Sequence, residues 1–221
     1  MTSFLCNPAQ SVFGNLRVPG DKSISHRSII LSSIAEGTTE ITGFLHGEDS
    51  LNTLRAFQSM GVNIQQTDDE IIVHGVGLHG LTKPVSALDM GNSGTAMRLL
   101  VGLLSGQSFD TVLTGDVSLS GRPMNRVVNP VKIMGALVDT NDAGTAPLTI
   151  HGNQLLTAIR YEMPVASAQV KSCVLLAGLY ASGNTEVIEP APTRDHTERM
   201  LRGFDCQVIS NGNVISMQGG Q

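Results

Sequence analysis

Apolar positions along the chain follow two spacings in turn, and the succession recurs three times. Short runs rich in β-branched residues, such as Ile71-Ile72-Val73, are typical of strands, whereas apolar residues every three or four positions indicate helices. Acidic or hydroxyl residues open several helical stretches and Gly closes them, which are the expected start and stop signals. The pattern therefore predicts three βαβαββ units at a period of roughly 70 residues.

The three units are predicted at about 15–82, 83–152 and 153–221. In the first unit we expect a strand at 15–19, a helix from about Ser25 to 36–37, a strand at 38–45, a helix at 48–61, and strands at 62–65 and 71–73 around a turn at 67–69. The second has a strand at 87–89, a helix at 92–106, a strand at 111–113, a helix at 122–135, and strands at 137–138 and 148–150. The third has a strand at 159–161, a helix at 167–183, a strand at 185–188, a helix at 193–203, and a hairpin of 207–209 with 214–216 across Asn211-Gly212.

The first helix of each unit is the more apolar one, so we expect it to be buried, and the second to lie outside. If the three buried helices lie parallel, their N-termini emerge on one face and concentrate partial positive charge and N–H donors there. Four cations lie in or near these helix openings, namely Lys22, Arg27, Arg98 and Lys171, and Arg122 opens the second helix of the middle unit. The fold class is thus α/β, with one face suited to anions.

Residues 19–27 carry the strongest single signal, because a Gly turn, two hydroxyl groups and two cations gather before an apolar helix. Lys22 offers a point charge and Arg27 a planar fork for phosphate or carboxylate. A P-loop is disfavoured, since Asp21 separates Gly20 from Lys22. The stretch alone is also compatible with an ordinary N-capped surface helix.

Composition narrows the function classes. The 221 residues carry a net charge of −5 without a basic run, which argues against nucleic acids and membrane surfaces. Three widely spaced cysteines favour a reducing cytosol over a disulfide framework or zinc site. No signal peptide, membrane span or metal-ligand spacing of the six histidines is evident, so we expect a cytoplasmic protein without a cofactor or metal.

Five stretches together resemble the N-terminal half of the 5-enolpyruvylshikimate-3-phosphate synthase (3-phosphoshikimate 1-carboxyvinyltransferase) family. They occur in the family's order and span nearly the whole chain. They are Asp21-Lys22-Ser23-Ile24-Ser25-His26-Arg27, Gly91-Asn92-Ser93-Gly94-Thr95-Ala96-Met97-Arg98, Gly121-Arg122-Pro123-Met124, Ser167-Ala168-Gln169-Val170-Lys171-Ser172 and Arg194-Asp195-His196-Thr197-Glu198.

The resemblance implies an inside-out α/β barrel fold, in which two similar domains of three units each face a shared cleft. It also implies transfer of the enolpyruvyl group of phosphoenolpyruvate to the 5-hydroxyl of shikimate 3-phosphate, with release of phosphate. This transferase step belongs to the shikimate pathway of aromatic amino acid biosynthesis and uses no cofactor. The herbicide glyphosate competes for the phosphoenolpyruvate subsite in this family.

Site residues follow from the same resemblance, by matched position. Lys22 would contact both substrates and stabilise charge, and Gln169 would touch both ligands. Ser93 and Leu99 depart from the Ala and Pro of one large subgroup, which leaves glyphosate sensitivity open. The remaining expected contacts are Ser23, Arg27, Ser167 and Ala168 for shikimate 3-phosphate, and Asn92, Gly94 and Arg122 for phosphoenolpyruvate.

The chain is about half as long as family members. Residues 1–14 resemble the strand that pairs with the second domain, and 15–221 would form the substrate-binding domain. The acid/base groups would come from the second half, so we expect little turnover from this chain alone, and a monomer at full length. Two alternatives stay open: UDP-N-acetylglucosamine enolpyruvyl transferase, which has Lys-Asn in place of Lys22-Ser23 and a reactive Cys near the position of Arg122, and a noncatalytic anion-binding domain.

Several polar residues are expected to have structural rather than site roles. We predict that His26 makes a structural hydrogen bond and that Asp49 and Asp116 cap helices. His196 is predicted at the surface, with Asp195, Glu198, Arg199 and Arg202 on a solvated helix face. Cys173 is predicted to be an inert core residue.

Overall fold

The computed structural model describes residues 3–67 and 70–220, so residues 68 and 69 of the predicted turn lie outside the described residues. The helices and strands follow one another much as the sequence predicts. In chain order the described elements are α1 (Lys22–Ile34), β1 (Glu36–Thr42), α2 (Glu48–Ser59), β2 (Asn63–Gln66), β3 (Glu70–Val76), β4 (Leu88–Asp89), α3 (Gly94–Leu104), β5 (Thr111–Thr114), α4 (Val117–Ser120), α5 (Asn125–Ile133), β6 (Leu137–Asp139), β7 (Leu148–His151), β8 (Arg160–Glu162), α6 (Ala168–Gly178), β9 (Asn184–Ile188), α7 (His196–Gly203), β10 (Val208–Asn211) and β11 (Val214–Gln218).

Each repeat has its own small open sheet. The strand orders are β1-β3-β2, β4-β5-β7-β6 and β10-β11-β9-β8. In the second and third sheets the strand before the buried helix pairs in parallel with the strand after it, as β4 with β5 and β8 with β9. All other strand pairs are antiparallel. The described strands thus form three separate sheets and no closed barrel.

The first repeat departs from the prediction, because the strand expected at 15–19 is not formed. Leu16 and Val18 supply the alternating apolar pattern of a strand, but both side chains are exposed. A strand needs a neighbouring edge for its backbone N–H and C=O groups. Within residues 3–67 and 70–220, no strand pairs with this segment, so the first sheet has only three strands.

The first helix of each repeat is buried, as predicted. Most residues of α1, α3 and α6 are buried, which is typical of helices in a domain centre. Helices α3 and α6 approach each other closely, since a Cβ atom added to Gly102 would lie 2.0 Å from the carbonyl oxygen of Cys173. The outer helices α2, α5 and α7 bury one side only.

Helix α1 begins earlier than predicted, at Lys22 instead of Ser25. The carboxylate of Asp21 accepts a hydrogen bond of 2.8 Å from the backbone N–H of Ile24 and so caps the helix. This cap puts Lys22 and Ser23 in the first helical turn, where the backbone N–H groups point toward a potential anion. None of the helices in the described part of the chain has both the length and the apolarity to cross a bilayer.

Candidate functional site

The N-termini of the three buried helices meet on one face. Each helix is capped by a side chain of the preceding residue: Asp21 for α1, Ser93 for α3 and Ser167 for α6. The Ser93 hydroxyl lies 3.2 Å from Nε2 of His26 on α1. The Nε2 of Gln169, in the first turn of α6, donates to Oγ1 of Thr95 in the first turn of α3 at 3.0 Å. The positive dipole ends of α1, α3 and α6 therefore point into a common region.

One cavity at this face is built around Arg27, and we call it the Arg27 pocket. It combines two guanidinium groups, three hydroxyl or amide side chains, an imidazole and a small residue. Its lining residues are Ser23, Arg27, Thr95, Ala168, Gln169, Arg194 and His196.

The guanidinium of Arg27 is buried and held from three sides. Its Nε donates to Thr197 Oγ1 at 2.6 Å, its Nη2 to Ser172 Oγ at 2.7 Å, and its Nη1 to the carbonyl of Ser23 at 2.9 Å. These contacts use three of the five N–H groups of the side chain. The fixed fork thus retains donor capacity for a ligand in the pocket.

Burial lowers the pKa of Arg27 to about 10, with a further lowering by the positive charge of Arg194. The negative charge of Glu198 acts in the opposite direction. Arg27 therefore remains cationic at neutral pH. A desolvated cation attracts an anion more strongly than an exposed one, because water screens it less.

A second cluster surrounds Gly94. The Nη2 of Arg122 donates to Oδ1 of Asn92 at 2.5 Å, and Nδ2 of Asn92 donates to Asp116 at 2.7 Å. A Cβ atom added to Gly94 would lie 3.0 Å from Nη1 of Arg98 and 3.3 Å from Nη1 of Arg122. Two guanidinium groups therefore converge beside a residue without a side chain, which leaves room for a small anion.

Arg98 and Gln169 connect the two clusters. The Nη1 of Arg98 donates to Oε1 of Gln169 at 2.9 Å, while Gln169 donates to Thr95. These two contacts fix which end of the Gln169 amide is the acceptor. Burial lowers the pKa of Arg98, and the positive charges of Arg126 and Arg122 lower it further. The region is thus rich in cations.

Lys22 is the predicted site residue least tied to the others. Its Nζ lies 3.1 Å from Asp49 on α2, and about half of its side chain is exposed. Asp49 thus pairs with a cation, whereas the N-cap of α2, for which Asp49 was predicted, is Gly47. The remaining predicted residues fall into the two clusters: Ser23, Arg27, Ala168 and Gln169 line the Arg27 pocket, Ser167 caps the helix beside it, and Asn92, Gly94 and Arg122 form the second cluster.

The prediction of a solvated face on α7 is wrong for one of its residues. Asp195, Arg199 and Arg202 are exposed, but Glu198 is buried. His196 was placed at the surface, yet it lines the Arg27 pocket, and its Nδ1 is buried without a hydrogen-bond partner among the described residues. Arg194 and Thr95 are pocket residues that the site prediction lacked. Their signal was present, since both belong to stretches that resemble the family.

Lys171 is not a site cation, although it lies near the opening of α6. Its side chain is 1% exposed and its Nζ contacts Glu189 and Glu198. A helical position two residues beyond Gln169 points away from the pocket, because successive side chains rotate around the axis.

Three structural predictions are confirmed. His26 is buried, with Nδ1 2.7 Å from Thr53 Oγ1 and Nε2 at Ser93. Asp116 caps α4 by accepting from the N–H of Leu119 at 2.7 Å. Cys173 is fully buried, and burial raises the pKa of its thiol. Within the described ranges, 3–67 and 70–220, no group of three or more His, Cys, Asp or Glu could hold a metal ion.

Sequence comparison identifies a family. The family described as EPSP synthase (3-phosphoshikimate 1-carboxyvinyltransferase) matches residues 6–221. A curated protein of Methylococcus capsulatus, named 3-phosphoshikimate 1-carboxyvinyltransferase, is 61% identical over 218 residues, which are 98% of this chain and 50% of that protein. One of Coxiella burnetii with the same name is 54% identical, over 96% of this chain and 49% of that protein.

Structural comparison agrees. The solved structure of EPSP synthase from Acinetobacter baumannii has a TM-score of 0.92 and 60% sequence identity to this chain. It covers 94% of this chain, which in turn covers 47% of that one. The chain therefore spans about half the length of the curated relatives it matches.

Proposed function

Because this chain belongs to the EPSP synthase family, we propose that it forms the shikimate 3-phosphate-binding half of a 3-phosphoshikimate 1-carboxyvinyltransferase. The proposed reaction moves the enolpyruvyl group of phosphoenolpyruvate onto the 5-hydroxyl of shikimate 3-phosphate. A bond forms between the hydroxyl oxygen and C2 of phosphoenolpyruvate, the bond from C2 to the phosphate oxygen breaks, and in the net balance the hydroxyl proton leaves with inorganic phosphate.

The observation that carries the proposal is the Arg27 pocket. A buried guanidinium with unused donors lies among Ser23, Gln169 and the capped N-terminus of α6. An apolar ligand would leave these donors unpaired, which is costly in a buried site. A hydroxylated acid that carries a phosphate would satisfy them. Shikimate 3-phosphate has this chemistry.

We assign phosphoenolpyruvate to the second cluster, which surrounds Gly94. Arg122 and Arg98 flank a position where a side chain is absent, and such paired guanidinium groups suit a small ligand with several negative charges. Gln169 touches both clusters through Arg98 and Thr95, so it can contact both ligands. Lys22 would turn from Asp49 toward the ligands and stabilise the charge of the departing phosphate.

The half that relatives carry beyond this chain would complete the site. We expect its groups to perform proton transfer, which contributes on the order of 10²–10⁴-fold. We also expect residues 1–14 to pair with it, because residues 3–14 form no helix or strand and their large apolar side chains, such as Phe4 and Phe13, are exposed. A full-length monomer and a cytoplasmic location remain predictions.

Calorimetric titration tests the proposal directly. Shikimate 3-phosphate should bind this chain at one site, and added phosphoenolpyruvate should not release phosphate. Arg27→Gln removes the fixed cation and should weaken binding at least tenfold. The matched control is Arg55→Gln, because Arg55 pairs with Glu48 on the exposed side of α2.

Other titrants separate the alternatives. Binding of UDP-N-acetylglucosamine instead of shikimate 3-phosphate would assign the chain to the sister transferase. Equal affinity for shikimate 3-phosphate, for other phosphate esters and for inorganic phosphate would indicate a noncatalytic anion-binding domain. Absence of binding of every titrant would refute a preformed site in this half.

A further inference from the structure

A buried ion cluster lies beneath the Arg27 pocket, and we call it the Lys171 triad: Lys171, Glu189 and Glu198. The Nζ of Lys171 lies 3.0 Å from Oε2 of Glu189 and 2.5 Å from Oε1 of Glu198. The side chains are 1%, 7% and 2% exposed. None of the three was assigned to a substrate, although two belong to the stretches that resemble the family.

Two residues of the triad are adjacent in sequence to the residues that hold Arg27. Lys171 precedes Ser172 on α6, and Glu198 follows Thr197 on α7. Ser172 and Thr197 are the two hydroxyl acceptors of the Arg27 guanidinium, and their oxygens lie 2.7 Å apart. The ion pair between Lys171 and Glu198 therefore joins α6 to α7 at the residues that orient Arg27.

Glu189 extends the same arrangement to the second arginine of the pocket. Its Oε1 accepts a hydrogen bond from the hydroxyl of Thr193, the residue before Arg194. The Nη1 of Arg194 in turn donates to Ser23 Oγ at 3.2 Å. One ammonium group thus holds two carboxylates, and each carboxylate is linked to one of the two pocket arginines.

The charges support a role beyond packing. Two carboxylates and one ammonium leave the triad with a formal charge of −1, and Oε2 of Glu198 has no hydrogen-bond partner among the described residues. The negative charge of Glu198 stabilises the Arg27 cation, whereas the positive charge of Arg194 destabilises it. A buried negative group next to two like-charged arginines lets both remain in one pocket.

We propose that Lys171, Glu189 and Glu198 are positioning residues, which fix the guanidinium groups of Arg27 and Arg194 before the ligand binds. The proposal rests on the proposed function insofar as that ligand is shikimate 3-phosphate. Preorganised donors do not have to be ordered on binding, so part of the affinity depends on the triad. None of the three triad residues lines the Arg27 pocket.

The decisive variant is Glu198→Gln, which keeps the shape and an oxygen acceptor for Lys171 but removes the charge. In the ligand-free chain, the Arg27 Nε–H should be visible by nitrogen-15 NMR, identified by its loss in Arg27→Lys. We expect its exchange with water to be at least tenfold faster in Glu198→Gln. We expect affinity for shikimate 3-phosphate to fall at least tenfold, beyond any change in stability.

Two further variants keep the test falsifiable. Val138→Ala, a buried position on β6 in another sheet, should lower stability without changing either readout. If Glu198→Gln does not fold, Glu189→Gln should alter the NMR signal of the Arg194 Nε–H and lower affinity. Exchange within twofold of the parent, or an equal change in Val138→Ala, would overturn the proposal. Since the exchange measurement needs no ligand, it decides even if shikimate 3-phosphate does not bind.

Discussion

The buried helices meet along two seams of opposite chemistry. In the apolar seam, which lies beyond the contacts of Gln169 with Thr95 and Arg98, α3 and α6 carry buried aliphatic residues such as Leu100, Leu103 and Val174, and their backbones touch at Gly102. In the polar seam, α1 meets α2, α3, α6 and α7 through a buried arginine, a histidine and hydroxyl groups. Both seams are equally hidden from water. Nonpolar contacts hold helices together without demanding one orientation, whereas hydrogen bonds between buried groups do demand it.

The comparison suggests a division of roles. The apolar seam stabilises the domain, and the polar seam sets the geometry of the Arg27 pocket that borders it. Substitutions in the first should therefore change stability and leave ligand affinity of the folded protein alone. Substitutions in the second should change both.

The largest effect is expected for Gly102→Ala in the apolar seam. The new Cβ would lie 2.0 Å from the carbonyl oxygen of Cys173, a backbone atom that cannot move without separating the helices. We expect a loss of about 3 kcal/mol or more in the free energy of unfolding, measured in urea. Affinity for shikimate 3-phosphate, measured where the variant is folded, should stay within twofold. A variant as stable as the parent would contradict the described packing.

Thr197→Val should affect the polar seam in both readouts. The substitution keeps the side-chain shape but removes the acceptor of the Arg27 Nε–H, leaving a buried charged donor unpaired. The expected cost is about 2–3 kcal/mol in unfolding free energy. Affinity for shikimate 3-phosphate should fall as well, because the guanidinium loses one of its three supports. A stability loss with unchanged affinity would erase the distinction between the seams.

The pH dependence of stability tests whether buried His26 is neutral in the folded chain. Burial lowers its pKa to about 4, with minor lowering from Lys22 and Arg27 and an opposing effect of Asp49. The unfolded chain, with an ordinary pKa near 6.5, binds a proton first as the pH falls, so acidification favours unfolding. Stability should be fully present above pH ~6.5 and decrease toward pH ~4, by about 2 kcal/mol between pH 7 and pH 5.

The matched variant is His26→Gln, which does not titrate in this range. Urea unfolding at several pH values should give a difference between parent and variant that shrinks as the pH falls. Parallel curves for the two proteins would mean that His26 has the same pKa in the folded and unfolded chains, so that burial does not disfavour its protonated form. Below that pKa the polar seam would contain a second cation beside Arg27.

The apolar seam could be predicted from sequence, and the polar seam only in part. Apolar residues at helical spacing in α3 and α6 indicate burial directly, so the three repeats and their buried helices were found. Charged residues such as Lys171 and Glu198 are read as exposed by default, since burial of an ion without a partner is unfavourable. Lys171 is separated from its partners Glu189 and Glu198 by 18 and 27 positions along the chain, and no local pattern marks such pairs.

The missing strand at 15–19 shows a related limit. Its alternation is genuine, but pairing depends on a neighbouring edge, which is a property of the fold and not of the segment. Arg27 and Arg122 were expected near helix openings, and the resemblance to a family divided the other residues into two substrate-binding sets. The place of Thr95, Arg194 and His196 in the Arg27 pocket became visible only in three dimensions.

The smallest effect is expected for Gly203→Ala, the counterpart of Gly102→Ala outside both seams. Gly203 is the last residue of α7, and no heavy atom lies within 4 Å of a Cβ added there. Alanine restricts the unfolded chain and favours the helix, so stability should rise by about 0.4–1 kcal/mol in urea unfolding, with unchanged affinity. Because both substitutions add the same methyl group to a helical glycine, opposite signs would attribute the cost at Gly102 to the contact between α3 and α6. A loss at both positions would instead point to a general requirement for glycine in these helices.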